Sequence, residues 1–441
     1  MRSLIGRLCG EIPQLGLKFQ QRAVNFNAAL IVGYGILSLG AIGYLLPSQV
    51  TLQVLPYYGS TIFGSACVLA TPLLLTAGGI RARTNLIVIC IAAYGSLIAL
   101  AMEYVQYRSN SVPSTRVMLE DIMQLGSFAA GGCAAAAAPH RLIRTIRAWG
   151  VLALVSAISQ VALMRIGALP SAWGDAYFSL FGPRYGSPSV YFALSMALCT
   201  SPAIFMSSRG ALLGVAIVAA EILTGVASQT RTLLVNGAAL LLLQARFDWL
   251  KRRPQLPRSL WCALAFVVIV SGVLAVTFVL RQRDIGVLEL SGRDWEIGDM
   301  VQEMSGAECA LGVGLGRGFR RYGLTKDGVD GEAVKTSVHL ATGALLVKFG
   351  IPIGAALTSL LVLIPVLRLC HREGGGHRMF PAYLIACALL ESAFAGFYKP
   401  VVLFIVGAAI AWPSESDGRG SLRSGANASR ALSRSPRPGE P

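Results

Sequence analysis

Charged side chains are scarce in this sequence. Only 14% of its 441 residues are Asp, Glu, Lys or Arg, whereas 54% are hydrophobic and the mean hydropathy is +0.61. A soluble domain carries about 25% charged residues, so this shortage excludes a chain that has water as its main solvent. Apolar runs of roughly 17 to 23 residues, each long enough to cross a hydrocarbon core as a helix, indicate a polytopic membrane protein instead.

Acidic residues are fewer than basic ones, 22 against 38, which leaves a formal charge of +16. Such a charge can indicate a nucleic-acid partner. The Lys and Arg residues here lie mostly in short connections between apolar runs, as in cytoplasmic loops of membrane proteins, and no basic motif with interleaved aromatics accompanies them. We therefore expect no nucleic-acid partner and attribute the charge to membrane topology.

The sequence also lacks metal-binding and disulfide patterns. The nine cysteines fall mostly inside apolar runs, with only Cys309 in a long outer loop, and neither they nor the four histidines are clustered. Such spacing implies no disulfide framework and no metal site. We therefore expect no bound metal ion.

Twelve apolar runs are candidate membrane helices. They cover residues 24–46, 57–79, 85–103, 119–138, 149–164, 190–206, 211–227, 233–247, 260–280, 353–369, 379–395 and 401–412. Every alternate connection carries Arg and is predicted to be cytoplasmic: residues 80–84, 139–148, 207–210, 246–259 and 368–378. The sequence therefore predicts an all-α, polytopic fold of about twelve spans in a bacterial inner membrane, with both termini in the cytoplasm.

The chain divides into three predicted parts. Residues 1–23 are a basic cytoplasmic leader without a signal-cleavage pattern, residues 24–412 are the membrane domain, and residues 413–441 are a disordered cytoplasmic tail rich in Ser, Gly, Pro and Arg. Three connections on the outer, periplasmic face are long: residues 104–118, 165–189 and 281–339. The last is too short for a separate enzyme domain, so chemistry on the outer face must use it together with the helices.

Arginines mark two places on the predicted outer face. Arg231 occupies a tight connection, where it is either a snorkelling anchor or a fork of donors for a lipid diphosphate. Arg293 opens the large outer loop, which continues with a glycine segment, residues 312–316, and then Arg317, Arg320 and Arg321. Without a preceding strand the glycines form no dinucleotide fingerprint, so a compact turn is the default interpretation and the arginines are a candidate surface for an anionic ligand.

Three further ionisable residues have two interpretations each. His339 is the only histidine predicted outside, and it could anchor a helix or take a proton from a hydroxyl group. Glu221 and Glu391 lie within predicted spans. There an acid can belong to a proton relay, as in a transporter, or it can pair with a polar group of a neighbouring helix.

Several short segments occur in a characteristic order. They are Phe181-Gly182-Pro183-Arg184-Tyr185-Gly186-Ser187-Pro188, Ser228-Gln229-Thr230-Arg231, Ser291-Gly292-Arg293 with Trp295, Leu311-Gly312-Val313-Gly314-Leu315-Gly316, and Val338-His339 followed by Phe349-Gly350-Ile351-Pro352-Ile353-Gly354. In this order they resemble the family of O-antigen ligases and O-antigen or exopolysaccharide polymerases. The resemblance covers residues 181–369.

The resemblance implies a GT-C-type glycosyltransferase whose donor is a glycan linked to a polyprenyl diphosphate, such as undecaprenyl diphosphate. It implies a base at His339 and diphosphate contacts from Arg231 and Arg293. Arg184 and Trp295 lie in the resembling segments and are further candidate substrate contacts, and Arg317, Arg320 and Arg321 are candidates from their position after the glycine segment. The acceptor would be a saccharide hydroxyl, the reaction would need no metal or nucleotide cofactor, and the membrane lipids would surround the helices.

Two questions stay open at the level of sequence. A ligase would use the core sugars of lipid A as its acceptor in lipopolysaccharide synthesis, and a polymerase would use another lipid-linked repeat. An alternative from another class is a transporter or flippase of lipid-linked glycans. The repeat-built carriers have internal symmetry, and the sequence contains no internal repeat.

Overall fold

A computed structural model of the chain describes residues 2–46, 59–78, 83–104, 111–169, 188–205, 219, 304–324, 330–335, 345–357, 380–388 and 399–413. The helices are α1 (Arg2–Leu45), α2 (Gly59–Gly78), α3 (Arg83–Tyr104), α4 (Thr115–Ala137), α5 (Pro139–Arg165), α6 (Pro188–Phe205), α7 (Gly306–Leu311), α8 (Leu345–Leu357), α9 (residues 380–388) and α10 (Pro400–Ile410). The strands are β1 (Ser111–Pro113), β2 (Arg317–Leu324) and β3 (Asp330–Lys335). The described residues are predominantly helical, which confirms the helical class predicted from the apolar runs.

Three of the described helical segments are long and apolar enough to cross a membrane. They are Val24–Leu45 in α1, Gly59–Thr76 in α2, and Pro139–Arg165, which is the whole of α5. Because a span needs about 20 apolar residues, these segments have the dimensions of membrane helices. The described part of the chain thus has the character of a membrane protein.

Helix α1 has one apolar face that packs against other helices and a second apolar face that is exposed. Leu30, Leu37 and Tyr44 are buried at heptad spacing and face the other helices. Ile31 and Leu39, by contrast, are 61% and 70% exposed. Large exposed apolar side chains over a whole helix face would be unfavourable in water, but they suit contact with lipid.

The centre of the helical bundle is an aromatic cluster. The ring of Phe63 in α2 lies 5.8 Å from that of Tyr44 in α1, 5.7 Å from that of Trp149 in α5 and 5.8 Å from that of Phe404 in α10. Such tilted and edge-to-face arrangements favour aromatic pairs beyond the area they bury. Four helices therefore converge on Phe63.

Helices α4 and α10 pack with almost no space between their backbones. A Cβ atom on Gly131 of α4 would overlap the carbonyl oxygen of Phe404, and one on Gly407 of α10 would overlap the carbonyl oxygen of Phe128. The contact is thus reciprocal, with a glycine on each helix facing the backbone of the other. Small residues at a helix interface are the usual means of bringing membrane helices this close.

Polar contacts join the ends of neighbouring helices. Gln160 Nε2 of α5 donates to the Leu45 carbonyl at the end of α1, with a distance of 3.0 Å. Arg147 Nε, near the other end of α5, donates to the Ala203 carbonyl of α6 at 2.9 Å. The two ends of α5 are therefore bonded to different neighbouring helices.

Several element boundaries differ from the sequence prediction. Residues 139–148, predicted as a cytoplasmic connection, form the first part of α5, and Ala138 alone separates α4 from α5. Pro139 suits the first turn of a helix, and Leu142 and Ile146 are buried in the core, so this stretch packs as helix. The leader is helical from Arg2 in the structure, continuous with the first span.

Residues 345–352 are already part of α8, whereas the sequence predicted a span that begins at residue 353. The predicted spans at 211–227, 233–247 and 260–280 fall on residues that are outside the described part of the chain, apart from residue 219. The same is true of almost all of the predicted tail, residues 414–441. The predicted count of twelve spans stays a prediction.

Candidate functional site on the outer loops

A small antiparallel sheet joins two of the loops that the sequence predicts on the outer face, residues 104–118 and 281–339. Its strand order is β1-β2-β3, with Val112 opposite Gly318 and Arg320 opposite Val334. The sequence predicts no strand in either loop, because three to eight residues with charged and glycine positions lack a clear alternation of apolar and polar residues. The pairing nevertheless places both loops on one side of the helices.

The glycine segment is a compact turn with backbone angles that favour glycine. Gly312, Gly314 and Gly316 have φ angles of 85°, 78° and 76°. Gly312 ends α7 and also has a ψ angle of 176°, a combination that is essentially restricted to glycine. The default interpretation of the segment as a compact turn therefore agrees with the structure.

The glycines lie against protein backbone. Cβ atoms on Gly314 would come within 2.5 Å of the Ala99 nitrogen and 2.6 Å of the Gly95 oxygen of α3. A Cβ atom on Gly312 would meet the Lys348 carbonyl oxygen of α8. The close approach that glycine permits is used here to attach the outer loop to two helices.

Backbone hydrogen bonds complete this attachment. The amide of Leu315 donates to the Gly95 carbonyl at 3.1 Å, and the amide of Val313 donates to the Val347 carbonyl at 2.9 Å. Tyr94 Oη of α3 donates to the Leu311 carbonyl at 3.1 Å. The glycine segment is therefore bonded on one side to α3 and on the other to α8.

The helical run of α8 bends sharply at Gly350. Its φ angle is 76°, and a Cβ atom on Gly354 would lie 2.7 Å from the carbonyl oxygen of Leu345. In a straight helix, positions nine residues apart are separated by about 13 Å along the axis, so the two halves of α8 fold towards each other. Gly350 itself contacts the Ala310 carbonyl of α7, which makes this bend part of the same site.

A buried ion pair lies beneath the glycine segment. Lys348 Nζ of α8 is 2.8 Å from Asp121 Oδ2 of α4, and the two side chains are 1% and 3% exposed. The same carboxylate oxygen accepts a hydrogen bond from the Gly316 amide at 2.6 Å. Lys348 Nζ also donates to the Arg317 carbonyl at 3.0 Å.

The structure places the first of the three arginines that follow the glycine segment in the interior. Arg317 is buried, with 4% exposure, and its backbone lies opposite Pro113 of β1. Arg320 and Arg321 are neighbouring positions of β2. The role of these arginines as a surface for an anionic ligand stays a prediction.

Most of the predicted site lies outside the described residues. This applies to the implied base and diphosphate ligands, His339, Arg231 and Arg293. It also applies to Arg184 and Trp295, and to Glu221 and Glu391, on which the transporter alternative depends. Their assigned roles stay predictions.

Asp121 and Lys348 are the residues that sequence reasoning missed. Asp121 lies inside the predicted span 119–138, where an acid is a functional candidate by default, so this signal was present in the sequence. Lys348 lies between the predicted outer loop and the next predicted span, where a Lys is unremarkable. Their pairing, across 227 positions of sequence, required the tertiary structure.

Among the described residues, no group of three or more His, Cys, Asp or Glu side chains is placed to hold a metal ion. Cys67, Cys133, Cys199 and Cys387 are buried in the helices and form no disulfide bond. The described part of the site is thus made of backbone groups, one ion pair and the strand that carries the arginines.

Comparison of the chain with protein families, with curated proteins and with solved structures gives no match. The resemblance to the O-antigen ligase and polymerase family therefore depends on the sequence segments given above.

Proposed function

We propose that this chain is a membrane glycosyltransferase that moves a glycan from a polyprenyl-diphosphate carrier to a saccharide hydroxyl on the periplasmic face. One observation supports the proposal most directly. Two segments that carry the family resemblance, the glycine segment and residues 349–354, pack against each other: a Cβ atom on Gly312 would lie 2.5 Å from the Gly350 nitrogen, and one on Gly350 would lie 2.8 Å from the Gly312 nitrogen. Segments far apart in sequence thus belong to one structural unit.

The proposed chemistry is a displacement at the anomeric carbon of the donor sugar. The acceptor hydroxyl oxygen forms the new glycosidic bond, and the bond to the diphosphate oxygen breaks with its electron pair. His339 takes the proton of the acceptor hydroxyl, and Arg231 and Arg293 balance the negative charge that develops on the departing diphosphate. No metal ion or nucleotide takes part in this proposal.

Deletion of the gene, followed by gel and mass-spectrometric inspection of surface glycans, tests the function. Accumulation of lipid-linked polymer that is not transferred to lipid A supports a ligase. Single repeats on lipid A support the polymerase alternative. An unchanged glycan profile contradicts the transferase proposal and favours the transporter alternative.

Arg231→Lys tests the role of the first arginine. We expect at least about a tenfold loss of glycan transfer at unchanged protein abundance, because a single ammonium group cannot replace the two-pronged contact of a guanidinium with diphosphate oxygens. Complementation of the deletion strain, with the abundance measured by immunoblot, gives both quantities. Normal transfer by the Lys variant would indicate that Arg231 is a membrane anchor and does not bind the diphosphate.

A further inference from the structure

The Asp121–Lys348 pair does more than fill space in the interior. Taking two charges out of water costs several kcal/mol for each ion, and apolar residues of similar volume often stabilise a fold as well as a buried pair or better. A contribution to the stability of the bundle is therefore a weak explanation for the presence of a buried ion pair at this position. What an apolar pair could not supply is hydrogen bonds to the backbone at Gly316 and Arg317.

Those two backbone groups lie where the glycine segment becomes β2. The amide of Gly316 is bound by Asp121 from α4, and the carbonyl of the next residue, Arg317, is bound by Lys348 from α8. The Gly316 carbonyl, in turn, accepts from the Ser114 amide next to β1 at 2.9 Å. The ion pair thus connects two helices to the first residues of the strand.

We propose that Asp121 and Lys348 are positioning residues for the outer site: they hold the start of β2, the strand that carries Arg320 and Arg321, at a set place relative to α4 and α8. The link to catalysis rests on the proposed transferase function together with the predicted role of Arg320 and Arg321 as substrate contacts. The link to the position of β2 rests only on the observed bonds.

The test compares the full-length wild type with the double variant Asp121→Leu/Lys348→Met in nanodiscs. Leu and Met keep the approximate side-chain sizes, remove the acceptor for the Gly316 amide and the donor to the Arg317 carbonyl, and leave no unpaired charge buried. Hydrogen exchange is followed in peptides covering residues 312–321 and in peptides from the core of α5. We expect exchange in the first set to rise about tenfold or more, and exchange in the α5 core to stay within about twofold of wild type.

A matched control is available one residue away on the same helix. Glu120 forms an exposed ion pair with Arg116 at 3.1 Å, with side-chain exposures of 30% and 57%. Exposed pairs of this kind contribute little. Glu120→Gln should therefore leave exchange in residues 312–321 unchanged.

A second charge-free variant, Asp121→Leu/Lys348→Leu, keeps the proposal testable if the first double variant does not accumulate, because it also removes both hydrogen bonds and leaves no unpaired charge buried. It should show the same regional increase in exchange as the first double variant. Wild-type exchange at residues 312–321, or an equal increase throughout the bundle, would overturn the positioning of β2 by the pair.

Activity measurements separate this proposal from the proposed function. We expect the double variant to raise the apparent KM for the lipid-linked donor about tenfold with a smaller change in kcat, because the strand carrying the substrate contacts is displaced. Unchanged KM and kcat despite faster local exchange would overturn the catalytic link. If the wild type itself transfers no glycan, the transferase function fails, whereas the exchange result still decides whether the pair positions β2.

Discussion

The helical bundle and the outer loop both depend on glycine, but for different reasons. In the bundle, Gly131 of α4 and Gly407 of α10 lie within helices, and what matters is the missing side chain that lets the two backbones approach. In the outer loop, Gly312 and Gly314 combine a tight contact with a positive φ angle. One residue type thus sets the distance between helices in the first region and the path of the chain in the second.

This contrast predicts that glycine substitutions in the two regions destabilise different parts of the protein. A side chain between α4 and α10 must separate two helices of the core, so the whole fold loses stability. A side chain in the glycine segment strains a turn and detaches a loop from α3 and α8, while the core can keep its packing.

The largest effect is expected for Gly131→Ala. The new Cβ atom would overlap the Phe404 carbonyl oxygen, and backbone on both sides leaves no flexible side chain to move. We expect a loss of about 3 kcal/mol or more in the free energy of unfolding. Thermal unfolding in detergent and the yield of folded protein would measure it. Wild-type stability would show that α4 and α10 can separate at little cost.

A smaller and more local effect is expected for Gly314→Ala. The substitution adds a Cβ atom 2.5 Å from the Ala99 nitrogen and places Ala at a φ angle of 78°. We expect the Leu315 amide, which is bonded to Gly95, to lose its protection from hydrogen exchange, while the melting temperature falls less than in Gly131→Ala. Exchange measured peptide by peptide would show whether the change stays in the outer loop.

The matched control for this variant is Gly167→Ala. Gly167, just after α5, has a φ angle of 74°, but a Cβ atom there would meet nothing within 4 Å. The cost should be the conformational strain alone, about 1 to 2 kcal/mol. If Gly167→Ala lowered the free energy of unfolding as much as Gly314→Ala does, the contacts of Gly314 with α3 would add nothing to the cost of the conformational strain.

The smallest effect is expected for Gly35→Ala on α1. This position is exposed, and a Cβ atom would again meet nothing within 4 Å. Because Ala is favoured over Gly inside a helix, we expect unchanged or slightly higher stability, by up to about 1 kcal/mol. Thermal unfolding beside Gly131→Ala would check it. A clear loss of stability would indicate a partner for this face of α1.

The helices of the bundle could be predicted from the sequence to within a few residues where an apolar run has clear ends. Helix α2 was predicted at residues 57–79 and α6 at 190–206, and they occupy Gly59–Gly78 and Pro188–Phe205. The sequence does not predict the start of α5, because Arg141, Arg144 and Arg147 in residues 139–148 are typical of a cytoplasmic loop. Charge shows on which side of a membrane a segment lies, but it does not end a helix.

The candidate site was less accessible to sequence reasoning. The glycine segment and residues 349–354 were identified, yet nothing in the sequence showed that they contact each other. The same holds for β1 and β2, which are separated by about two hundred residues and are too short to show a strand pattern. Arg317 was assigned to a surface, and it is buried.

The sequence by itself determined that the helices lie in a membrane, that the fold is helical and where the helices approximately end. Each of these follows from the local balance of apolar and charged residues. Only the tertiary structure decided which segments meet: Phe63 with three other helices, Gly131 with α10, and Asp121 with Lys348 and Gly316. The physical reason is that a hydrophobic run specifies its own burial but not its neighbour. Close contacts and buried charges depend on shapes and hydrogen-bonding groups that come together only when the chain is folded.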